Sequence, residues 1–131
     1  MIVRRLDELR ETDAAAKVAH GTVEVVRYLL AADGAGFSVS DVVAPAGSEN
    51  TLQYKNHVEA NLVLEGEGTV EDLATGEVHT LAPGTLYVVY PTDRHVVRAI
   101  TDVRIISIFN PPLVGGETHD ADGGYPAAPA A

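Results

Sequence analysis

The sequence predicts an all-β protein, a sandwich or a barrel, with one helix near the N-terminus. Short runs rich in β-branched residues recur along the chain and are separated by clusters of turn-forming residues. The first segment differs, because it is rich in Glu, Arg and Ala, which favour helix. With 131 residues, 46% of them hydrophobic, the chain suffices for one domain with a modest core.

Local patterns place each element. The helix is predicted over residues 6–19, and strands over residues 2–4, 23–30, 37–43, 60–64, 68–72, 85–90, 95–99 and 103–109. Turn residues lie between them, at 33–36, 45–47, 74–77 and 82–84. Pro and Gly become frequent after Asn110, so we expect the strands within residues 1–112 and a C-terminal tail over 113–131, flexible after Tyr125.

The composition narrows the classes of partner and of site. A formal net charge of -10 disfavours nucleic acid and anionic membrane surfaces, so we expect a small-molecule partner. The absence of Cys excludes disulfides, thiolate metal sites and thiol nucleophiles, which leaves oxygen and imidazole as metal ligands. Residues 1–11 lack the apolar core of a signal peptide and no apolar run reaches membrane-spanning length, so we expect a cytoplasmic protein.

Four side chains predict a metal site inside the β structure. Residues two apart on a strand point to the same face, so His57 and Glu59 can both face one cavity. Tyr87 and His95 belong to a later hairpin that can bring them to the same place.

The order of motifs resembles the cupin superfamily, whose members are small antiparallel, jelly-roll-like barrels with an internal site. Within the cupins the chain resembles the ectoine synthases. The shared motifs are Tyr-Lys-Asn-His-Val-Glu-Ala at 54–60, Glu-Gly-Glu-Gly at 65–68, Pro-Gly-Thr-Leu-Tyr at 83–87, Asp-Arg-His at 93–95, Phe-Asn-Pro-Pro-Leu at 109–113 and Glu-Thr-His-Asp at 117–120. They occur in family order and spacing over residues 1–126.

The resemblance implies an iron-dependent hydro-lyase. Members of the family close the ring of ectoine from N-γ-acetyl-diaminobutyrate with loss of water. Carried over by position, the family's metal ligands are Glu59, Tyr87 and His95, one carboxylate, one phenol and one imidazole. This set suits Fe(II) or another first-row divalent ion acting as a Lewis acid.

Further active-site positions of the family fall on Tyr54, His57, Glu117 and His119. His57 is a candidate general base or acid, since imidazole titrates near neutrality. Tyr54 is a candidate for orienting the substrate or relaying a proton. Glu117 and His119 lie in the tail, which we expect to fold over the barrel mouth as a lid, up to about residue 126, and to exclude water.

The substrate end departs from the family pattern. Val23, Val25 and Val42 occupy positions where ectoine synthases carry Trp, Ser and Thr, whereas Phe109 matches a family position. Loss of hydroxyl partners would weaken binding of a zwitterion, because each hydrogen bond to a charged group contributes roughly 1.5 to 3 kcal/mol. The three valines therefore predict a substrate less polar than N-γ-acetyl-diaminobutyrate, with Phe109 as a fourth substrate-binding position.

Three classes of function remain open from the sequence. The first is a metal-dependent cyclase or hydro-lyase, either an authentic L-ectoine synthase or one with a new substrate. The second is a metal-independent cyclase that folds a polyketide-like intermediate in an apolar pocket. The third is a non-catalytic cupin that binds a small molecule.

Two secondary expectations complete the prediction. His20 and His79 match no site position and are expected to be structural or exposed. A homodimer is expected, both from the resemblance and because a small barrel with open edge strands gains from pairing one of them.

Overall fold

The computed structural model describes residues 1–19 and 21–127, and these residues are nearly all β. One helix, α1, spans Leu6–Leu9, and a short 3-10 helix spans Ala31–Asp33. The strands are β1 (Ala15–Val18), β2 (Val23–Leu29), β3 (Ser38–Ala44), β4 (Glu49–Leu52), β5 (Val58–Glu65), β6 (Gly68–Asp72), β7 (Val78–Leu81), β8 (Leu86–Val89), β9 (His95–Ala99) and β10 (Val103–Asn110). The predicted all-β class is confirmed.

The strands form two antiparallel sheets. The larger sheet has the order β1-β2-β3-β10-β5-β8, and the smaller has the order β4-β9-β6-β7. Within the described residues no strand ladder joins the two, so the predicted barrel takes the form of two facing sheets rather than a ring closed by hydrogen bonds.

Two apolar clusters fill the space between the sheets. One joins Val63 and Val103 of the larger sheet to Val70, Leu81 and Val97 of the smaller sheet. The second contains Tyr54, Phe109 and Tyr125 with smaller aliphatic residues. Strand β10 shows how the sequence produces this, since alternate residues from Val103 to Phe109 are buried.

The N-terminal predictions are partly wrong. The helix predicted over residues 6–19 ends at Leu9, and Ala15–Val18 forms β1, paired with β2 from Ala15↔Val26 to Val18↔Val23. Pairing at the sheet edge and burial of Val18 override the helix propensity of the Ala-rich segment. Residues 2–4, predicted as a strand, are exposed and form none, and β1, β4 and β7 were not predicted.

The C-terminal segment lies against the sheets without forming a helix or strand of its own up to residue 127. The N–H of Leu113 donates to Ser38 Oγ at 2.9 Å, and the N–H of Gln53 donates to the carbonyl of Gly123 at 3.1 Å. Gly123 has φ 76°, and an added Cβ would collide with the backbone of Thr51, so both the turn and the close approach require glycine. The predicted flexible end falls largely on residues 128–131, which lie outside the described residues.

The described residues contain no helix with the length and apolar character needed to cross a membrane.

Candidate active site

A cavity with an empty volume of about 620 Å³, including its open mouth, lies between the two sheets. Aliphatic side chains line one part of it, and polar and aromatic side chains line the rest. The aliphatic group is Val18, Val23, Val25, Val42, Ala44, Leu52, Val97, Ile105 and Leu113; the polar and aromatic group is Ser40, Asn50, Tyr54, Glu59, Asn61, Tyr87, Ser107, Phe109, His119 and Tyr125.

The strand register explains this division. Val25, Val42 and Ile105 stand opposite one another on β2, β3 and β10 and form an apolar row across the larger sheet. The four positions predicted to bind substrate, Val23, Val25, Val42 and Phe109, all line the cavity. One part of the cavity therefore offers aliphatic contacts and no side-chain hydrogen-bonding group.

A polar row crosses the same sheet two residues further along each strand. Ser40, Ser107, Asn61 and Tyr87 stand opposite one another on β3, β10, β5 and β8. On β2 the register continues to Arg27, which is buried. This row, here called the polar row, includes Tyr87 and adjoins Glu59, two of the positions that the family resemblance assigns to metal ligands.

Glu59 is 5% exposed and is held by hydrogen bonds from within the sheet. Asn61 Nδ2 donates to Glu59 Oε1 at 2.8 Å, and Ser107 Oγ donates to Asn61 Oδ1 at 2.8 Å. Burial raises the pKa of Glu59 to about 7, while hydrogen bonding by Asn61 and Ser107 opposes that rise. A cation beside Glu59 would favour its ionised form.

His95 has the arrangement of a neutral metal-ligating imidazole. Its Nδ1 lies 2.9 Å from the backbone carbonyl of Asp93, and since a carbonyl only accepts, the proton is assigned to Nδ1. Nε2 is buried and has no hydrogen-bond partner among the described residues. Burial lowers the pKa of His95, although the Asp93 carbonyl opposes this shift. The Nε2 lone pair is therefore available to a ligand or ion.

Tyr87 links this cavity to a second cleft, because it lines both and shares the second with His95. Burial and the charge of Glu59 raise the pKa of Tyr87. No group of three or more His, Cys, Asp or Glu in the described part of the chain is placed to hold a metal. The set implied by the resemblance contains only two such residues, with the Tyr87 phenol as third. By donor type, a buried carboxylate, an available imidazole Nε2 and a phenol suit a first-row divalent ion.

Aromatic side chains surround the cavity on the polar side. Tyr54 Oη lies 2.7 Å from His119 Nε2, and its ring packs edge-on to Phe109 with centroids 5.0 Å apart. His119 stacks on Tyr125 at 4.4 Å. Burial, together with the charge of Glu59, raises the pKa of Tyr54, so the phenol stays protonated near neutrality. The structure thus brings two predicted catalytic residues into direct contact.

His57 and Glu117 lie near the cavity and are not among the residues that line it. His57 is 2% exposed, its ring packs edge-on to Phe109, and its Nδ1 has no partner within the described residues. Burial lowers the pKa of His57, with Glu117 opposing. The carboxylate of Glu117 accepts the backbone N–H groups of Val114 and Gly115, each at 2.7 Å. Glu117 therefore shapes the C-terminal segment.

Several cavity residues were not singled out as site residues from the sequence. Asn61 and Ser107 were accessible to prediction, because each lies two residues from a predicted site residue, Glu59 or Phe109, on the same strand. Tyr125 was not, since its position depends on the path of an irregular segment. Of the histidines set aside, His79 is exposed beside Glu77 at 3.4 Å, and His20 lies outside the described residues.

Comparison with known proteins places these features in a family. A family model described as ectoine synthase matches residues 1–129. A protein named L-ectoine synthase from Sphingopyxis alaskensis is 50% identical over 129 residues, covering 98% of this chain and 93% of the relative. The crystal structure of ectoine synthase from P. lautus superposes with a TM-score of 0.85 at 39% identity, covering 100% of this chain and 94% of that one.

A more distant neighbour supports the fold alone. The RmlC-like cupin from Shewanella frigidimarina superposes with a TM-score of 0.58 at 19% identity, covering 72% of this chain and 81% of that one. The predicted cupin fold is therefore confirmed. The full-length match to the family model and to its named relatives shows that the chain belongs to the ectoine synthase family of lyases.

Proposed function

We propose that the chain is a hydro-lyase that closes a ring in a small molecule, with L-ectoine as the first candidate product. The observation that carries this proposal is the cavity that brings Glu59 and Tyr87 beside the Tyr54–His119 pair, with His95 in contact with the ring of Tyr54 at 6.3 Å between centroids. The relatives named L-ectoine synthase support this product, because they match nearly the whole chain.

Glu59, Tyr87 and His95 would hold Fe(II) or another first-row divalent ion. Such an ion supplies Lewis acidity towards an amide oxygen of the substrate. The protein contributes a neutral imidazole whose Nδ1 is fixed by the Asp93 carbonyl, so that only Nε2 faces a ligand.

The proton transfers fall to side chains around the cavity. Ring closure needs an amine to lose a proton and a hydroxyl to leave as water. His57 is buried with a lowered pKa, which keeps the imidazole neutral near pH 7 and able to accept a proton. Tyr54 keeps its proton, so it is suited to donate a hydrogen bond and to share a proton with His119 at 2.7 Å.

The C-terminal segment is proposed as a lid. His119 and Tyr125 line the cavity from this segment, and Arg27 donates to the Glu117 carbonyl, which ties the segment to β2. A closed segment would exclude water from a reaction that releases it. This proposal keeps the predicted division into strands within residues 1–112 and a covering segment from 113 to about 126.

A less polar substrate is the second candidate, and the apolar row supports it. Val25, Val42 and Ile105 offer no partner to a charged group, and burying an unpaired charge there would cost several kcal/mol by rough estimate. An alkyl-bearing amide could fill that part of the cavity while presenting its reactive group to the polar row.

Product analysis distinguishes the candidates. The purified protein, loaded anaerobically with Fe(II), is incubated with N-γ-acetyl-diaminobutyrate and the products are followed by mass spectrometry. Ectoine formation that disappears in Glu59→Ala supports the first proposal. Turnover equal in Glu59→Ala would favour a metal-independent cyclase, and ligand retention without product would favour a binding cupin. Turnover only with an N-acyl analogue that lacks the charged end would support the second candidate.

A homodimer is proposed on the open edge of the larger sheet. β8 ends that sheet, and it exposes Leu86 and Val88 at 61% and 38% beside the equally outward Leu62 of β5. An apolar edge strand of this kind gains from pairing with a second copy. Light scattering after size exclusion should give twice the chain mass, and Leu86→Lys should give the monomer.

A further inference from the structure

We propose that Asn61 and Ser107 are positioning residues for Glu59. The three side chains form a hydrogen-bonded chain that begins with Ser107 at the surface of the cavity and holds the Glu59 carboxylate in place for a metal. The inference rests on the proposed function, since it concerns a ligand of the proposed metal site. It assigns roles to two residues that the sequence did not single out.

The geometry sets the direction of every hydrogen bond in the chain. Ser107 Oγ lies 2.8 Å from Asn61 Oδ1, and Asn61 Nδ2 lies 2.8 Å from Glu59 Oε1. A carboxylate in its ionised form only accepts, so the amide must present its N–H to Glu59 and its carbonyl to the other side. Ser107 Oγ donates to that carbonyl, and its hydroxyl also lies close enough to Glu59 to help lower the pKa of that carboxyl. Since each member is held by the next, Glu59 Oε1 has a fixed place.

Paired strands hold the members of this hydrogen-bonded chain next to one another on the same face of the larger sheet. Asn61 and Ser107 stand directly opposite each other on β5 and β10, and Glu59 is two residues from Asn61 on the same face. All three are at most 5% exposed and all three line the cavity. The hydrogen-bonded chain is thus built on paired strands and not on a loop.

Packing alone does not account for polar residues at these positions. The next inward residues on the same two strands are Val63 and Ile105, both buried and apolar. Buried amides and hydroxyls must be fully hydrogen-bonded to avoid a desolvation cost, and apolar residues of similar size avoid that cost altogether. A need to orient Glu59 explains why polar groups occupy the positions of Asn61 and Ser107.

The hydrogen-bonded chain also limits what the Ser107 hydroxyl can offer to a substrate. Because Ser107 uses its proton for Asn61, its hydroxyl can offer only an acceptor to the cavity. It would therefore bind an N–H or O–H of the substrate. Such a contact would polarise the Ser107 hydroxyl and strengthen the hydrogen bonds from Ser107 to Asn61 and from Asn61 to Glu59. Substrate binding would thereby be coupled to the position of Glu59.

The test measures metal binding, independently of turnover. Co(II) serves as probe, because its visible bands report ligand geometry, and affinity is obtained by equilibrium dialysis of the full chain. Asn61→Leu is expected to weaken Co(II) binding by about 10- to 100-fold, as is typical of residues that support a metal ligand, and to shift the bands. Ser107→Ala is expected to weaken binding less, and the loss in Asn61→Leu/Ser107→Ala should be smaller than the sum of the two single losses, since Ser107 acts mainly through Asn61.

Ser40→Ala is the matched control. Ser40 is a buried serine on β3 that lines the cavity in the same polar row, and it is not a member of the hydrogen-bonded chain. It should leave Co(II) affinity and bands unchanged. Wild-type affinity and bands in Ser107→Ala, or equal losses in Ser107→Ala and Ser40→Ala, would overturn the inference even if Asn61→Leu failed to fold. A wild-type chain that binds no metal would instead overturn the metal site of the proposed function.

Discussion

At the scale of single residues, the proposed chemistry rests on buried groups whose hydrogen bonds are specified. His95 has Nδ1 committed to a backbone carbonyl and Nε2 available, while Glu59 is fixed by Asn61. Tyr54 is held in contact with His119. Burial separates these side chains from water, so each is left with one hydrogen-bonding arrangement.

Removing one oxygen tests the role of Tyr54. Tyr54→Phe deletes the contact with His119 and leaves the ring packing on Phe109 unchanged. We expect kcat to fall by about 10²-fold, the lower end of what a positioned proton-transfer group contributes. The stability should change by only about 1 kcal/mol, as for one lost hydrogen bond. Steady-state kinetics and thermal unfolding measure both.

Tyr90→Phe is the control for this substitution, since Tyr90 is 56% exposed. It should retain wild-type kinetics. Equal kcat values for Tyr54→Phe and wild type would remove Tyr54 from the reaction.

The site could be predicted only in part from the sequence. Glu59, Tyr87 and His95 were accessible from motif spacing, and the valines of the apolar row from alignment with the family pattern. The hydrogen-bonded chain through Asn61 and Ser107 was not predicted, because it joins β5 to β10, whose register no local pattern specifies. The place of Tyr125 depends on the path of the C-terminal segment.

At the scale of elements, the long central strands were predicted and the short edge strands were not. β2, β3, β5 and β10 carry clear runs of β-branched residues, and all lie inside the larger sheet. β1, β4 and β7 have four residues each and owe their structure to a paired neighbour. Local propensity predicts helix at β1, and pairing with β2 overrides it.

The C-terminal segment depends on a close approach at Gly123. Gly123→Ala should destabilise the fold by more than the roughly 1–3 kcal/mol typical of a residue in an unfavourable backbone conformation, because its Cβ also meets the Thr51 backbone. Gly76→Ala is the matched control, with φ 75° and open space around it. Chemical unfolding of both variants isolates the contact. Equal destabilisation would show that the segment is not packed there.

The N-terminal segment is tied to the 3-10 helix by an ion pair. Arg4 contacts Asp33 at 2.8 Å, and hydrogen bonding to Arg4 lowers the pKa of Asp33 to about 2. A lowered carboxyl pKa stabilises the fold above the unfolded value near 3.8, and the effect is lost as the pH falls towards 2. Asp33→Asn should therefore be less stable than wild type at pH 6, with the difference shrinking below pH 4. A difference independent of pH would contradict this assignment.

At the scale of the whole molecule, the space between the two sheets contains both a packed core and the candidate site. An aliphatic cluster fills part of this space, and next to it lies a cavity with an apolar row and a polar row side by side. The C-terminal segment contributes His119 and Tyr125 to that cavity, so the site is complete only when the segment is in place. The fold thus brings together residues from both sheets and from the irregular end of the chain.

We propose that Glu59, Tyr87 and His95 hold a metal ion required for ring closure. The most direct measurement is the Fe(II) content of anaerobically loaded wild type and His95→Ala, determined on the same samples used for turnover. We predict close to one Fe(II) per chain and product formation in wild type, and loss of both in a folded His95→Ala. Product formation by wild type without bound metal, or full metal content in His95→Ala, would contradict it.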